Sequence, residues 1–350
     1  MFSFFLKRLQ LPCDFKIPNN ANEIQANENI FQKIKESIKF TRKYLYFLVF
    51  GNSKLQMSHL PSNVKNILWI GNHSDSIGDS LMECAARSMM VNYNVDLLAT
   101  TRNASVFQDD IFFQHVYINP QNISKKYEFI ILDYFSTKSL KLRKKYFNDI
   151  PYFCMYEFFY GPDFNRLKFG YCRISKLLGL PYIESNSKYF ITAQEVAFFS
   201  QYKINVGIAI GGIDDIRTYK YFKDLVVELN KHNDDIQFFL FGAENGVLAA
   251  NEIEKLFVNV TNFVGKLNIQ QTAYLISKMS IFIACDGGLL HVAQAYKLPI
   301  ISIFAKFKPE FRLSNNELLN MTLYDREDVN NISIIQVANI FYNWRQEFEN

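Results

Sequence analysis

The chain has only five cysteines in 350 residues, an odd number and never a CxxC pair. Cys13, Cys84, Cys154, Cys172 and Cys285 therefore suggest neither a disulfide framework nor a zinc site, and a reducing cytosol fits them best. Histidine is equally sparse. His59, His73, His115, His232 and His291 show no HxxxH or HExxH spacing, and no Asp-x-Asp triplet occurs, so no protein-bound metal is expected. No stretch approaches the ~20 apolar residues of a membrane span. The most apolar early run, Tyr44 to Phe50, is short and follows Arg42 and Lys43. The opening Met1-Phe2-Ser3-Phe4-Phe5-Leu6 lacks a preceding basic region and a cleavage site, which predicts a cytoplasmic protein. Scarce glycine and proline exclude collagenous and low-complexity classes.

What positive charge there is sits at one end. Residues 1–60 carry nine Lys and Arg against four Asp and Glu, while the whole chain nets only +4. A nucleic-acid binder would carry a basic stripe through its folded domain, so no nucleic-acid partner is expected. Within 29–48, Ile30, Ile34, Ile38, Leu45 and Leu48 recur at mostly helical spacing among Lys33, Lys35, Lys39, Arg42 and Lys43. This amphipathic basic helix has two readings: an ordinary helix packed on the domain that follows, or a platform for peripheral contact with anionic lipid.

From Asn66 onward, short apolar runs alternate with helical patterns. Strands are predicted at 67–70, 95–99, 115–118 and 129–132, with a helix from about Gly78, and the texture is that of buried parallel strands. A second series follows the polar stretch Glu184 to Lys188, with strands at 206–210, 236–241, 281–284 and 300–304 and helices near 218–231, 246–257, 269–278 and 288–296. A closing amphipathic helix spans Ser333 to Phe348. Two blocks of strand and helix predict an α/β chain of two doubly wound domains with a cleft between them.

The most informative segment is Phe263-Val264-Gly265-Lys266, a helix, then Ile281-Phe282-Ile283-Ala284-Cys285-Asp286-Gly287-Gly288-Leu289-Leu290-His291, ending in Leu298-Pro299 and an apolar strand. It reads as strand, glycine turn, helix and strand. The paired glycines permit close backbone approach, and the first amides of the following helix favour a pyrophosphate. Glycines also make such turns in proteins that bind nothing there.

This string resembles the donor-site signature of glycosyltransferase family 9, the bacterial ADP-heptose:lipopolysaccharide heptosyltransferases. The resemblance covers roughly residues 64–312. It implies the GT-B architecture, two Rossmann-like domains facing a cleft: an acceptor-side domain over 61–200 and a donor-binding domain over 201–330, preceded by a basic helical extension over 1–60 that the family does not generally require. The helix of 331–350 is a candidate to pack back on the N-terminal domain. By the same resemblance Asp286, Gly287, Gly288, Leu289 and His291 face the nucleotide sugar, although Gly287 stands where the family commonly carries Ser or Thr.

On the N-terminal side, Asn66 to Gly71, then Ser76-Ile77-Gly78-Asp79, is similar to the family's strand, loop and Gly-Asp helix start. Asp79 is then the implied general base, with Gly78 and Ser76 beside it on the acceptor side; a simple helix-capping aspartate is the alternative. The loop before Gly78 opens with Asn72-His73 where the family has a basic residue. Val206 to Gly212, including Gly211, resembles the loop preceding a phosphate-binding cation, here Arg217 or Lys220; a solvated helix start is the alternative. The segment Phe239 to Glu244 is similar to the family's strand and loop beside the nucleoside, which makes Glu244 either a ribose acceptor or a surface-loop carboxylate. The aromatics Tyr152, Phe153, Tyr156, Phe158, Phe159 and Tyr160 would stack on acceptor sugars or pack in the core.

What the resemblance implies is an inverting, metal-independent transfer of heptose from ADP-heptose to a lipopolysaccharide core sugar, with no cofactor beyond the nucleotide sugar and with a glycolipid as acceptor. Use of another nucleotide sugar, or a non-catalytic binding role, are the competing readings.

Overall fold

Near-continuous apolar runs become buried parallel strands in both halves of the chain. The computed structural model describes residues 5–13, 15, 17, 21–71, 76–231, 235–314 and 320–349. It divides into two units, Met1–Ser187 and Lys188–Asn350. Residues 1–60 thus group with the first unit. The expected boundary near 200 moves upstream because Tyr189 stacks on His291 and Gln194 N–H donates to the Gln270 carbonyl, tying the stretch after Lys188 to the second unit. The Asn72-His73 loop lies outside the described residues.

The first unit holds β1 (Asn66–Gly71), β2 (Asn94–Ala99), β3 (Phe113–Tyr117), β4 (Phe129–Leu132) and β5 (Tyr152–Cys154), paired in parallel in the order β3-β2-β1-β4-β5. The chain works outward from β1 to β3, then returns to the other side of β1. This leaves a switch point between β1 and β4, the place where open α/β sheets bind ligands. Its principal helices are α1 (Ile30–Phe50), α2 (Ile77–Glu83), α3 (Thr137–Tyr146) and α4 (Arg166–Leu178).

β5 absorbs part of the aromatic cluster read from the sequence. Tyr152, Phe153, Tyr156 and Phe159 are buried, and Tyr160 alone of the six is largely exposed. Core packing, rather than sugar stacking, accounts for the run.

α1 does pack on the unit, but not with the predicted face. Its contacts are aromatic: Phe40 meets Phe158 edge to face at 5.6 Å, and Phe47 lies 4.7 Å from Phe135 and 5.2 Å from Phe158. Arg143 on α3 donates from Nη1 to the Gly51 carbonyl and secures the helix's C-terminal end. Ile30, Ile34, Ile38, Leu45 and Leu48 are all exposed. The bulky rings contribute more buried area per residue than the aliphatics, so they claim the core.

The second unit holds β6 (Ile204–Ala209), β7 (Ile236–Phe241), β8 (Val260–Asn262), β9 (Ile281–Cys285), β10 (Ile300–Ala305) and β11 (Asn320–Asp325) in the order β11-β10-β9-β6-β7-β8, again with parallel pairs. Its switch point falls between β6 and β9. The helices are α5 (Phe222–Asn230), α6 (Val247–Glu254), α7 (Ile269–Ile276), α8 (Gly288–Ala295) and α9 (Ile334–Glu349). α9, the candidate to pack on the first domain, has Val337, Ala338, Phe341 and Trp344 in the core of the second unit, and Tyr342 donates to the Glu228 carbonyl on α5.

Candidate active site

At the second unit's switch point, the loop after β6 reaches the turn after β9. Arg217 Nη2 donates to both the backbone carbonyl and Oδ2 of Asp286, each at 2.9 Å. Asp286 is buried, so its charge requires this partner. A second cation, Arg312, approaches the same carboxylate with Nε 3.8 Å from Oδ2. Both guanidiniums lie over the Phe307 ring, at 5.0 and 4.6 Å from its centre. Two cations around one carboxylate leave a local positive excess at the strand ends. That suits an anionic ligand.

α8 begins at this point. Gly287 precedes it with φ −176 and no side-chain cap, and Gly287, Gly288 and Leu289 are all half-buried. The first N–H groups of a helix have no carbonyl partner within it, so this turn offers donors beside Arg217. A Cβ added at Gly287 meets only the Cys285 carbonyl, at 3.8 Å, and extended backbone accepts any residue. Gly287→Ser is therefore expected to leave stability within about 0.5 kcal/mol of the parent, as measured by thermal unfolding. Gly211 differs. Its φ is +90 and a Cβ there stands 3.0 Å from the Gly246 Cα, so Gly211→Ala is expected to cost about 1–3 kcal/mol in the same experiment.

The other donor-side residues named from sequence are distributed differently. His291 does not face the turn's open side: it is 2% exposed, stacked on Tyr189 at 4.8 Å, with Nδ1 3.4 Å from Gln294 Nε2. Burial, reinforced by Arg312 and Arg217, lowers its pKa to about 3, so the imidazole is neutral. The Tyr189 hydroxyl in turn donates to the Arg312 carbonyl, making this a packed support behind the arginine. Lys220 is exposed, and its backbone N–H donates to Asn330 Oδ1. Of the two cations left open by the sequence, Arg217 is the one joined to Asp286. Glu244 is exposed in the loop after β7, the strand beside β6.

In the first unit, Ser76 caps α2 by accepting from the Asp79 N–H, which gives it a structural task. Gly78 is buried behind it. Asp79 keeps its side chain 33% exposed, with Oδ1 3.7 Å from Arg166 Nη1. One helical turn later on the same face lies Glu83, buried and accepting from the same nitrogen at 3.0 Å. Tyr134, just past β4, donates to Glu83 Oε1 at 3.5 Å and stacks on Tyr156 at 4.4 Å. Asp133, also past β4, accepts from Trp69 Nε1 at 2.9 Å. The cluster therefore spans the ends of β1 and β4. Glu83 and Arg166 were not singled out from sequence; the four-residue spacing from Asp79 was a signal for Glu83, while Arg166 had none.

Burial raises Glu83 to about 8 against the opposing pull of Arg166, with Asp133 and Asp79 adding to the rise. Burial likewise raises Asp133 to about 7. An acid whose folded pKa lies above its ordinary value binds its proton more tightly when folded. Its contribution is thus full at low pH and is lost as pH rises from about 4.5 through about 8. The melting temperature is expected to fall across that window, and to fall less in Glu83→Gln; a pH series of thermal scans on both proteins checks it.

The family model of glycosyltransferase family 9 (heptosyltransferase) matches residues 176–334, which include the Arg217, Asp286 and α8 constellation. Over that segment the chain is similar to glycosyltransferase family 9. Lipooligosaccharide heptosyltransferase 2 of Haemophilus influenzae is 26% identical over 115 residues, 28% of this chain and 33% of that protein. The match therefore spans only a third of that relative's length. Among solved structures, the family 9 glycosyl transferase of Veillonella parvula superposes with a TM-score of 0.63 at 12% identity, covering 81% of this chain and 97% of that one. E. coli heptosyltransferase WaaC with ADP-2-deoxy-2-fluoro heptose gives a TM-score of 0.59 at 13% identity, over 79% and 99% of the two chains. These likenesses support a GT-B-like fold, with its two parallel-sheet α/β domains.

Proposed function

We propose that this protein is an inverting glycosyltransferase that moves heptose from ADP-heptose onto a core sugar of lipopolysaccharide or lipooligosaccharide. The observation that carries the reading is Arg217 locked onto Asp286 at the β6/β9 switch point, beside the uncapped start of α8, within the segment that matches the family. In this proposal the diphosphate sits against the α8 amides and the Arg217 guanidinium. Fixed donors placed there stabilise the charge that develops on the leaving group. The cations meet the phosphates directly, so the proposal includes no protein-bound metal and no cofactor.

Asp79 is the proposed base. Its carboxylate is partly exposed, whereas Glu83 is buried and holds a proton near neutrality, so of the two Asp79 is the one an acceptor hydroxyl can reach. Asp79 takes the proton from the acceptor hydroxyl, whose oxygen attacks the anomeric carbon as the bond to the diphosphate breaks, and ADP leaves. Attack from the face opposite the leaving group inverts the configuration. The acceptor is a glycolipid, and the proposal includes peripheral contact with the cytoplasmic face of the membrane.

Purified protein given ADP-heptose and a heptose-deficient core glycolipid is expected to release ADP and yield a product one heptose heavier, with the anomeric configuration reversed and no loss of rate in chelator. Retention of configuration, or abolition of activity by chelator, contradicts the mechanism. Turnover with UDP- or GDP-sugars instead contradicts the donor.

A further inference from the structure

α1 carries a second apolar face that the fold does not use. Ile30, Phe31, Ile34, Ile38, Leu45 and Leu48 are each 53–82% exposed, and the spacing of 3 and 4 residues places them along one side of the helix. The opposite side is fixed by Phe40, Phe47 and Tyr44 against Phe158 and Phe135, so the helix cannot roll to bury the row. At 21 residues it presents a strip about 30 Å long. Exposed Lys35 and Arg42 border the strip on one side. Lys39, ion-paired to Glu36, lies further round, and Lys39 and Lys43 both lie over the Tyr160 ring. Among the described residues nothing covers the aliphatic row. A contiguous exposed apolar strip marks an interaction surface.

We infer that this strip is a docking surface for an anionic lipid bilayer, with α1 lying in the interface, its aliphatic row in the acyl boundary and Lys35 and Arg42 at the headgroups. The charge pattern selects this occupant. A second copy packed on the strip by two-fold symmetry would bring the same basic border against itself, whereas anionic headgroups complement it. No helix of the described residues is long and apolar enough to cross a membrane, and α1 is held to the fold through Phe40 and Phe47, so the geometry is one of lying on the surface. The inference deepens the glycolipid reading and rests on it for the choice of partner, since an enzyme acting on a lipid-anchored sugar gains from being held where that sugar is presented.

The test is co-sedimentation of the full chain with vesicles of phosphatidylglycerol and phosphatidylethanolamine, compared with phosphatidylcholine alone. The parent protein is expected to pellet with the first and not the second. The triple variant Ile34→Ser/Ile38→Ser/Leu45→Ser, altered only at exposed positions, is expected to bind on the order of a hundredfold more weakly. Lys35→Glu/Arg42→Glu is expected to lose roughly tenfold, and added salt to reproduce that loss in the parent. Near-ultraviolet circular dichroism confirms that each variant is folded. Failure of the parent to pellet with anionic vesicles, or equal pelleting by the triple variant, overturns the inference. So does a parent dimer in light scattering that the triple variant abolishes without any vesicle binding, which would give the strip to a second copy. ADP-heptose titrated into the same samples separates the two readings: nucleotide binding without vesicle binding removes only the lipid surface, and the converse removes only the proposed donor.

Discussion

Asp79→Asn is expected to lower the transfer rate by roughly 10²–10⁴-fold while donor affinity stays at the parent value. The substitution keeps the size of the side chain and removes its basicity. The Ser76 cap uses the backbone N–H of residue 79, so the start of α2 is retained. Arg166 loses one of its two carboxylate neighbours and keeps Glu83 at 3.0 Å, which limits the structural consequence. The loss therefore falls on turnover and not on the Michaelis constant for the nucleotide sugar. Steady-state kinetics with donor and acceptor varied separately read this out, and full activity in the variant removes Asp79 from the mechanism. Glu83→Gln, by contrast, replaces a group that already holds its proton near neutrality and is expected to retain far more activity.

Arg217→Ala is expected to weaken donor binding by roughly 10–100-fold, the magnitude of losing one charge-assisted hydrogen bond to phosphate. It also strips Asp286 of its closest cation. Removing one partner of a buried ion pair costs about 3–5 kcal/mol when nothing replaces it. Here Arg312 Nε remains at 3.8 Å and the Arg217 side chain is itself 26% exposed, so a cost of about 1–3 kcal/mol is expected. The double variant Arg217→Ala/Asp286→Asn separates the two effects. Removing the buried charge restores part of the stability, and donor affinity stays low because the phosphate partner is still missing. Recovery of both together would make Arg217 a structural residue only.

The strands nearest the two switch points were the most legible parts of the sequence. β1, β4, β6 and β9 are largely apolar runs because parallel strands are buried on both faces, and their observed limits lie within a residue or two of those expected. β5 and β8, at three residues each, are too short to show a period. β11 lies at the edge of its sheet, mostly half-buried, and its mixed Asn-Met-Thr-Leu-Tyr-Asp carries no strong pattern. On α1 the helical period was visible but its polarity was misleading, because two apolar faces share one helix and the aromatic one wins the core. The site divides along the same lines. Asp286 and its glycines form one local string. Arg166 and Arg312 join their carboxylates from 83 and 26 residues away by way of the fold, so spacing could not announce them.

Calorimetric titration of ADP-heptose, with UDP- and GDP-sugars in parallel, tests the proposed donor site most directly. The account predicts saturable one-to-one binding of the ADP-sugar without added metal, at least tenfold tighter than the others and weakened by Arg217→Ala. Equal affinity for all three donors, or binding that Arg217→Ala leaves unchanged, would contradict it.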